Sequence, residues 1–127
     1  MRVDNWAEIV KANDFAAHAS ASEGTILVKL TGTADLTVKS HLDSFLHEVH
    51  AEAQRRQAEV VTMDVGQLQF MNSSCLKSLV WWIVTVQELP SAGRYRIVFL
   101  SNPALRWQVR SLGSLACIAS DIVTVRT

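Results

Sequence analysis

The sequence predicts an α/β fold in which four mainly parallel strands follow one another with helices on one face, preceded by an N-terminal strand. Three observations support this prediction. Apolar and polar residues alternate in several short stretches, as they do in strands with one buried face. Between these stretches, apolar residues recur at the i, i+3, i+4, i+7 spacing of amphipathic helices. The five glycines stand between the stretches, where turns are expected.

Length and composition indicate one globular domain. The chain has 127 residues, of which 49% are hydrophobic and 19% are charged, so it can bury a core without a metal or a disulfide. Basic and acidic side chains are balanced at 12 each, and the lack of a basic excess argues against nucleic-acid binding. Because every apolar run is too short to span a bilayer, we expect no membrane insertion. We also expect no cofactor.

The cysteines and the N-terminus predict a cytoplasmic protein. Cys75 and Cys117 are too few for a disulfide framework or for a zinc site built from thiolates. Free thiols fit a reducing compartment. Residues 1–12 lack the apolar stretch of a secretory signal peptide, so we do not expect export.

Residues 1–13 are assigned to an N-terminal extension and residues 14–127 to the domain. In the extension, one short helical turn is expected from three apolar residues: Trp6, Ile9 and Val10. Strands at residues 15–20 and 26–31 flank Ser22-Glu23-Gly24, whose glycine suits a tight turn. The domain is therefore expected to begin with a β-hairpin.

Three helix–strand pairs complete the predicted domain. Thr37 can cap the first helix, whose apolar face consists of Leu42, Phe45, Leu46 and Val49. A strand at residues 61–65 leads to the second helix, which carries Leu76, Leu79, Val80 and Ile83. A strand at residues 96–100 leads to the third, which an Asn-Pro cap at 102–103 opens and which carries Leu105, Val109 and Leu112. Residues 122–125 form the last strand.

The alternation of strands and helices predicts how these elements are arranged. Strands that are separated by helices pair in parallel. Their crossovers are right-handed, so strands that are added in one direction place every helix on the same face of the sheet.

The most informative stretch runs from Asp64 to Leu76 and reads Asp-Val-Gly-Gln-Leu-Gln-Phe-Met-Asn-Ser-Ser-Cys-Leu. In it a strand is expected to end, and a loop to cross with Leu68 and Phe70 pointing inward. The polar residues Asn72-Ser73-Ser74 then open a helix, where their side chains can satisfy free backbone N–H groups.

A phosphate on Ser73 would suit this position, because the N-terminus of a helix accepts anions. Phosphorylation adds roughly two negative charges. It could therefore block a partner at an exposed tip while the domain stays folded.

Two stretches together resemble the sequence signature of STAS domains, the family of the anti-sigma factor antagonists. Asn72-Ser73-Ser74-Cys75-Leu76 is similar to the family's Asp-Ser-Ser-Gly-Leu, with Asn72 in place of the aspartate and Cys75 in place of the glycine. Gly32-Thr-Ala-Asp35-Leu resembles the family's Gly-x-Leu-Asp segment before its first helix. The resemblance covers about residues 14–126 and implies the STAS (anti-anti-sigma-like) fold.

The resemblance implies a regulatory protein-binding module of bacterial signal transduction and transcription regulation, and not an enzyme. In such a switch, a serine kinase that is itself an anti-sigma factor phosphorylates the first serine, here Ser73, with Ser74 as the second candidate. The unphosphorylated form captures the kinase and frees a sigma factor, and a phosphatase is a further expected partner. The alternative is a non-phosphorylated STAS adaptor subunit of a transporter or signalling complex, in which Asn72-Ser73-Ser74 only cap the helix.

The residues expected to contact a partner lie at these two stretches and along the second helix: Asp35, Asn72, Ser73, Cys75, Lys77, Trp81 and Trp82. Trp81 and Trp82 are adjacent, so they cannot both face the core. With Val80 and Ile83 inward, Trp82 is expected to be partly exposed. It is then an interface hot spot, a ring lying flat on neighbouring helices, or a homodimer contact.

Other candidate sites have simpler interpretations. A metal site needs three or four converging ligands. No second cluster of such residues is visible, so a solvated helix face is the interpretation for His41, Asp43, His47 and His50. A thiol or nucleotide-hydrolysing enzyme using Cys75 and Ser73 would need a base and an orienting group, which the sequence does not offer. Cys75 is expected to pack under its helix. The basic and aromatic patch Arg106, Trp107 and Arg110 is interpreted as solvated surface.

Overall fold

The computed structural model describes residues 6–127 as a six-stranded sheet with three α-helices. In chain order the elements are β1 (Ala7–Ala12), β2 (Phe15–Ser22), β3 (Thr25–Ala34), α1 (Lys39–Arg56), β4 (Val60–Met71), α2 (Ser73–Gln87), β5 (Arg96–Leu100), α3 (Arg106–Ile118) and β6 (Val123–Arg126). Two short 3-10 turns lie at Leu36–Val38 and Ser91–Gly93.

The strands lie in the sheet in the same order as in the chain. β1, β2 and β3 pair antiparallel, and β3, β4, β5 and β6 pair in parallel. The predicted set of four parallel strands after an N-terminal strand is therefore confirmed. Right-handed crossovers place α1, α2 and α3 on one face. In β3, Ile26 and Val28 are buried on this face, whereas the alternate residues Leu27 and Lys29 are exposed on the other face.

The core lies between the sheet and the helices. All four apolar residues predicted for α1 are buried in it: Leu42, Phe45, Leu46 and Val49. They pack in one cluster with inward residues of every strand from β2 to β6 and with the inner side of α2. Removing such surface from water is the main force that holds the layers together.

The segment predicted as a helical turn is instead the edge strand β1. It pairs antiparallel with β2 from Ala7↔Ser20 to Ala12↔Phe15 across a turn at residues 13–14. Asn13 in this turn has a φ of 53°, a left-handed conformation that asparagine tolerates in tight hairpins. The sequence Ala-Glu-Ile-Val-Lys-Ala alternates with period two, so Val10 packs on the core while Ile9 is 63% exposed. The prediction of a helical turn was wrong because these few residues fit both periods.

β4 is longer than predicted and replaces the expected loop. It continues to Met71, because its second half still pairs with β3 from Thr31↔Gln67 to Ala34↔Met71. One register shift precedes this stretch, and a second lies between Gly32 and Thr33. Leu68 is buried as expected, but Phe70 is 47% exposed, so its predicted inward position was wrong.

The end of β3 passes very close to the turn between β1 and β2. Gly32 has a φ of +88°, and a Cβ atom on it would lie 1.9 Å from the Asp14 backbone oxygen. Thr33 N donates a hydrogen bond to that same oxygen at 2.7 Å. Glycine is therefore required here for both conformation and space. The contact fixes the direction in which the chain leaves β3 toward Asp35.

The third helix begins later than predicted. Asn102 Oδ1 accepts a hydrogen bond from Ala104 N at 3.0 Å, so the Asn-Pro pair forms a turn, and α3 starts at Arg106. Val109 is 64% exposed and lies outside the core. The buried polar residue Gln108 occupies the inner face instead and donates to the carbonyls of Val65 at 2.6 Å and Leu68 at 3.2 Å. These bonds satisfy backbone groups in the irregular half of β4.

Candidate functional site

The two stretches that the sequence analysis singled out meet at the carboxyl ends of β3 and β4. Asn72 N donates a hydrogen bond to the Ala34 carbonyl at 2.9 Å. Three residues further on, Cys75 Sγ donates to the carbonyl of Asp35, which follows Ala34, at 3.3 Å. These two bonds tie the start of α2 to the segment that leads into α1. The fold therefore builds one site from segments that are about forty residues apart in the chain.

Asn72 caps α2, as predicted. Its Oδ1 accepts a hydrogen bond from Cys75 N at 2.9 Å, and its backbone is extended. Ser73 is the first residue of the helix and is exposed, while Ser74 is half-buried. Among residues 6–127, neither serine hydroxyl forms a hydrogen bond. The cap thus leaves the Ser73 hydroxyl available to a reagent or a partner.

Asp35 caps the short turn before α1, and this corrects the assignment of the cap to Thr37. The Asp35 carboxylate accepts hydrogen bonds from Thr37 N at 3.0 Å and from the Thr37 hydroxyl. The Thr37 hydroxyl in turn accepts from Asn13 Nδ2 at 2.7 Å. Asp35 is half-buried, so it lies at the rim of the site with its carboxylate engaged in this network.

Cys75 packs under the helix, as expected, but it cannot contact a partner. Its side chain is fully buried, so the prediction that places it in a binding surface was wrong. Burial raises the pKa of the Cys75 thiol, against the opposing effect of the charge on Lys39. A buried thiol with a raised pKa is a poor nucleophile.

The two tryptophans have the opposite exposure to the one predicted. Trp82 is fully buried, and its Nε1 donates a hydrogen bond to Tyr95 Oη at 2.9 Å. Trp81 is 41% exposed and stacks on His47 of α1, with the ring centroids 4.3 Å apart. The buried stripe of α2 consists of Cys75, Ser78, Leu79, Trp82, Ile83 and Val86. Val80 is only half-buried, so the buried face of this helix is displaced by about one residue from the predicted face.

An exposed stripe connects the start of α2 with the tryptophan. Ser73, Lys77 and Trp81 are spaced four residues apart, so they lie above one another on one side of the helix. Beside Lys77 and Trp81 runs a groove of about 340 Å³ between α1 and α2. We call the stripe together with its groove the α2 surface, and its groove residues are Lys39, Asp43, His47, Lys77, Ser78 and Trp81.

The charges of the groove are held in place by hydrogen bonds. Lys39 Nζ donates to Asp43 Oδ2 at 2.9 Å and to Ser78 Oγ at 3.1 Å. Burial raises the pKa of Asp43, but the hydrogen bonds from Ser78 and Lys39 outweigh it, and the pKa is lowered overall. Lys39, Asp43 and Ser78 were not predicted for this surface. Lys39 and Asp43 pair within α1, but Ser78 joins them only when α1 packs on α2.

The histidines of α1 are held by separate partners. His50 Nδ1 lies 2.6 Å from Tyr95 Oη, whereas His47 stacks on Trp81. Among residues 6–127, no group of three or more histidine, cysteine, aspartate or glutamate residues is placed to hold a metal ion.

In the same part of the chain, none of the helices combines the length and apolar character needed to cross a bilayer.

Comparisons with known proteins identify the fold. No protein-family model matches the chain, and no curated protein matches it by sequence. Among solved structures, an anti-sigma factor antagonist from Mycobacterium paratuberculosis matches with a TM-score of 0.65 and 18% identity, over 92% of this chain and 90% of that chain. The anti-sigma factor antagonist SpoIIAA in its unphosphorylated form matches with a TM-score of 0.53 and 14% identity, over 98% and 89%. The chain has the STAS-type α/β fold, as the sequence predicted.

Proposed function

We propose that this chain is a regulatory protein-binding module of the anti-sigma factor antagonist type, and that it acts in the bacterial cytosol. Its partner is a serine kinase that is itself an anti-sigma factor. The partner binds the α2 surface, and phosphorylation of Ser73 weakens that binding. The likeness in fold to anti-sigma factor antagonists supports this class of function, and the site gives it specific residues.

The observation that carries the proposal is the placement of Ser73. The side chain is exposed at the first position of α2, and its hydroxyl makes no hydrogen bond within residues 6–127. The helix start is held by Asn72 and by the bond to Ala34, so it does not depend on the serine. Modification of Ser73 therefore leaves the packing of the domain intact.

Electrostatics explain how the phosphate would act on a partner. A phosphate on Ser73 adds roughly two negative charges at the positive end of the helix dipole, where they are tolerated. Lys77 lies one turn further on the same side and can pair with the phosphate. This pairing neutralises the charge of Lys77, so the α2 surface loses a positive charge. The phosphate also repels the acidic groups of an acidic partner. A bound kinase that contacts Ser73 and Lys77 would then dissociate.

Intact-protein mass spectrometry tests the switch. The whole chain is incubated with ATP and each serine kinase of the anti-sigma class from the source genome. We expect one added phosphate on the wild type and on Ser74→Ala, and none on Ser73→Ala. We also expect Ser73→Asp to bind the same kinase about tenfold more weakly than the wild type, as seen by calorimetry. An unchanged mass with every such kinase would contradict the switch.

A second candidate is the non-phosphorylated adaptor, and one observation favours it. Asn72 stands where the family's signature has aspartate, and its amide oxygen caps the helix as an ordinary N-cap does. In this case the Asn72-Ser73-Ser74 trio is a capping element, and the α2 surface binds a subunit of a transporter or signalling complex constitutively. Stable copurification of such a subunit with both the wild type and Ser73→Asp would support the adaptor.

A phosphatase partner and a homodimer are two further predictions, and each has its own test. A phosphatase that resets the switch should remove the phosphate from Ser73 in the same mass assay. Light scattering after size exclusion reports whether Trp81 mediates self-association. A dimer that Trp81→Ala converts to a monomer would assign that ring to the dimer contact.

A further inference from the structure

The face of the sheet opposite the helices carries a valley across β4, β5 and β6. Val98 forms its floor. Val98 alternates with the core residues Ile97 and Phe99, so its side chain points away from the helices. It is nevertheless only 8% exposed, because Thr62 and Thr124 lie beside it on the neighbouring strands. The valley has a volume of about 450 Å³ and is lined by Val60, Thr62, Arg96, Val98, Leu100 and Arg126.

Two arginines stand at the ends of this valley, and neither is engaged in an ion pair within residues 6–127. Arg96 and Arg126 are exposed, and in the same part of the chain neither guanidinium forms a hydrogen bond. Asp64 on this face lies between Lys29 and Leu100 in the register, separated from Arg126 by one strand, and its carboxylate accepts a hydrogen bond from Gly66 N at 2.9 Å. The valley therefore combines an apolar floor with two free positive charges.

The register of β5 and β6 sets the spacing of these charges. Arg96 and Leu100 are four residues apart on one strand, which corresponds to roughly 13 Å. Arg126 lies directly opposite Leu100 on the next strand, about 4.8 Å away. The two arginine backbones are thus about 14 Å apart, with Val98 between them. An extended peptide places every second side chain on one face, so two acidic residues four apart span roughly 13 Å with an apolar residue between them.

We propose that this valley docks an acidic, extended segment of a second protein, in which two carboxylates flank an apolar side chain. The carboxylates pair with Arg96 and Arg126, and the apolar side chain rests on Val98. The two arginines are the charges that such a segment complements. Because the valley lies on the face opposite α2, this docking does not depend on the switch proposed for Ser73.

Other occupants fit the valley less well. Face-to-face pairing with a second copy would bring two sets of unpaired arginines together. Single-stranded nucleic acid binds to aromatic side chains on which bases stack, and none lines the valley. A bilayer surface is flat, whereas the Val98 floor is recessed between its neighbours.

A designed peptide tests the proposal on the whole chain. The probe is acetyl-Gly-Gly-Glu-Thr-Val-Thr-Glu-Gly-Gly-amide, and the control peptide has glutamine in place of both glutamates. Binding is followed by NMR on the ¹⁵N-labelled protein. We expect saturable amide shifts confined to β4, β5 and β6 with the glutamate peptide only.

Matched double variants assign the binding to the arginines. Arg96→Gln/Arg126→Gln should weaken binding of the glutamate peptide at least about tenfold. Arg106→Gln/Arg110→Gln removes the same charge from the exposed side of α3 and should leave the affinity within about twofold. Circular dichroism shows that both variants are folded.

Several outcomes would overturn the proposal. The absence of saturable shifts, equal binding of the glutamine peptide, or equal weakening by both double variants would each do so. Sedimentation with phosphatidylcholine–phosphatidylserine vesicles that Arg96→Gln/Arg126→Gln abolishes, without peptide binding, would reassign the face to an anionic membrane.

Discussion

Tyr95 fixes the hydrogen-bond direction among three ring side chains. Trp82 Nε1 donates to Tyr95 Oη at 2.9 Å, because an indole N–H can only donate. Within residues 6–127, His50 Nδ1 at 2.6 Å is the one other hydrogen-bond partner of the Tyr95 hydroxyl, so the hydroxyl proton has an acceptor only if it is donated to this nitrogen. This arrangement requires a neutral His50 with its proton on Nε2. Burial also raises the pKa of Tyr95, so the hydroxyl keeps its proton.

The neutral state of His50 predicts a loss of stability in mild acid. Burial lowers the pKa of His50 below its ordinary value of 6.5, and the charge of His47 lowers it further. The folded state therefore binds this proton less readily than the unfolded state. The stability that His50 contributes is full above about pH 6.5 and is lost as the pH falls below that value. The urea midpoint should fall between about pH 7 and pH 5.

Two variants distinguish His50 from the other titrating groups. His50→Asn keeps an acceptor for Tyr95 but cannot be protonated, so its midpoint should stay level over this range. His18→Asn, an exposed control on β2, should keep the wild-type fall. The lowered pKa values of Asp43 and Glu52 act below about pH 4.5, outside this window. A wild-type midpoint that does not change, or a fall that persists in His50→Asn, would contradict this account.

At the scale of the helix, the two faces of α2 have different tasks. Its buried stripe fills the core, and Trp82 is the largest side chain in it. The opposite side carries Ser73, Lys77 and Trp81, which face solvent. Of two adjacent tryptophans on one helix, one thus packs in the core and the other lies on the surface that we propose binds the partner.

Alanine substitution of each tryptophan should show this separation. Trp82→Ala leaves a cavity in the core and should lower the free energy of unfolding by roughly 3–5 kcal/mol. Trp81→Ala should change it by less than about 1 kcal/mol but weaken binding of the partner kinase by roughly 2 kcal/mol. Urea unfolding and calorimetry measure the two effects. Equal destabilisation by both substitutions would show that the assignment of the faces is incorrect.

The helix faces also show what the sequence can predict. In α1, polar residues separate the apolar ones, so the buried face of Leu42, Phe45, Leu46 and Val49 follows directly from the spacing. In α2 the six residues from Leu79 to Val84 are all apolar, and several faces fit the period equally well. The choice between Trp81 and Trp82 is made by Tyr95, which lies in a different element. Such a contact leaves no local signal in the sequence.

In the candidate site, too, local features could be predicted from the sequence, whereas contacts between elements could not. The Asn72 cap and the exposure of Ser73 depend on neighbours within one turn, so the sequence predicted both correctly. The bond from Cys75 to Asp35 and the stack of His47 on Trp81 join residues from different elements. These contacts depend on how α1 and α2 pack, which a periodic pattern does not contain.

At the scale of the whole molecule, β1 is part of the six-stranded sheet, whereas residues 1–13 were predicted to be an extension. β1 covers the edge of β2 over six of its eight residues, from Ala7↔Ser20 to Ala12↔Phe15. Val10 and Ala12 of β1, together with Trp6 just before the strand, are partly buried against the core. An uncovered β2 would present free backbone groups that promote aggregation.

Deletion of residues 1–12 should therefore lower the free energy of unfolding by roughly 2–3 kcal/mol, given about 1 kcal/mol for each half-buried apolar side chain. The truncated protein should also aggregate at lower concentration. Urea unfolding and light scattering provide the two measurements. An unchanged unfolding curve would show that the strand contributes nothing to the domain.

The agreement between sheet order and chain order affects how the protein is made. Each strand pairs with the one synthesised just before it, so no segment has to wait for a distant partner. As the chain leaves the ribosome, the β1–β2–β3 meander can form first, and each later helix and strand can dock on a surface already in place. Such stepwise growth keeps the time during which an unpaired edge is exposed to other nascent chains short.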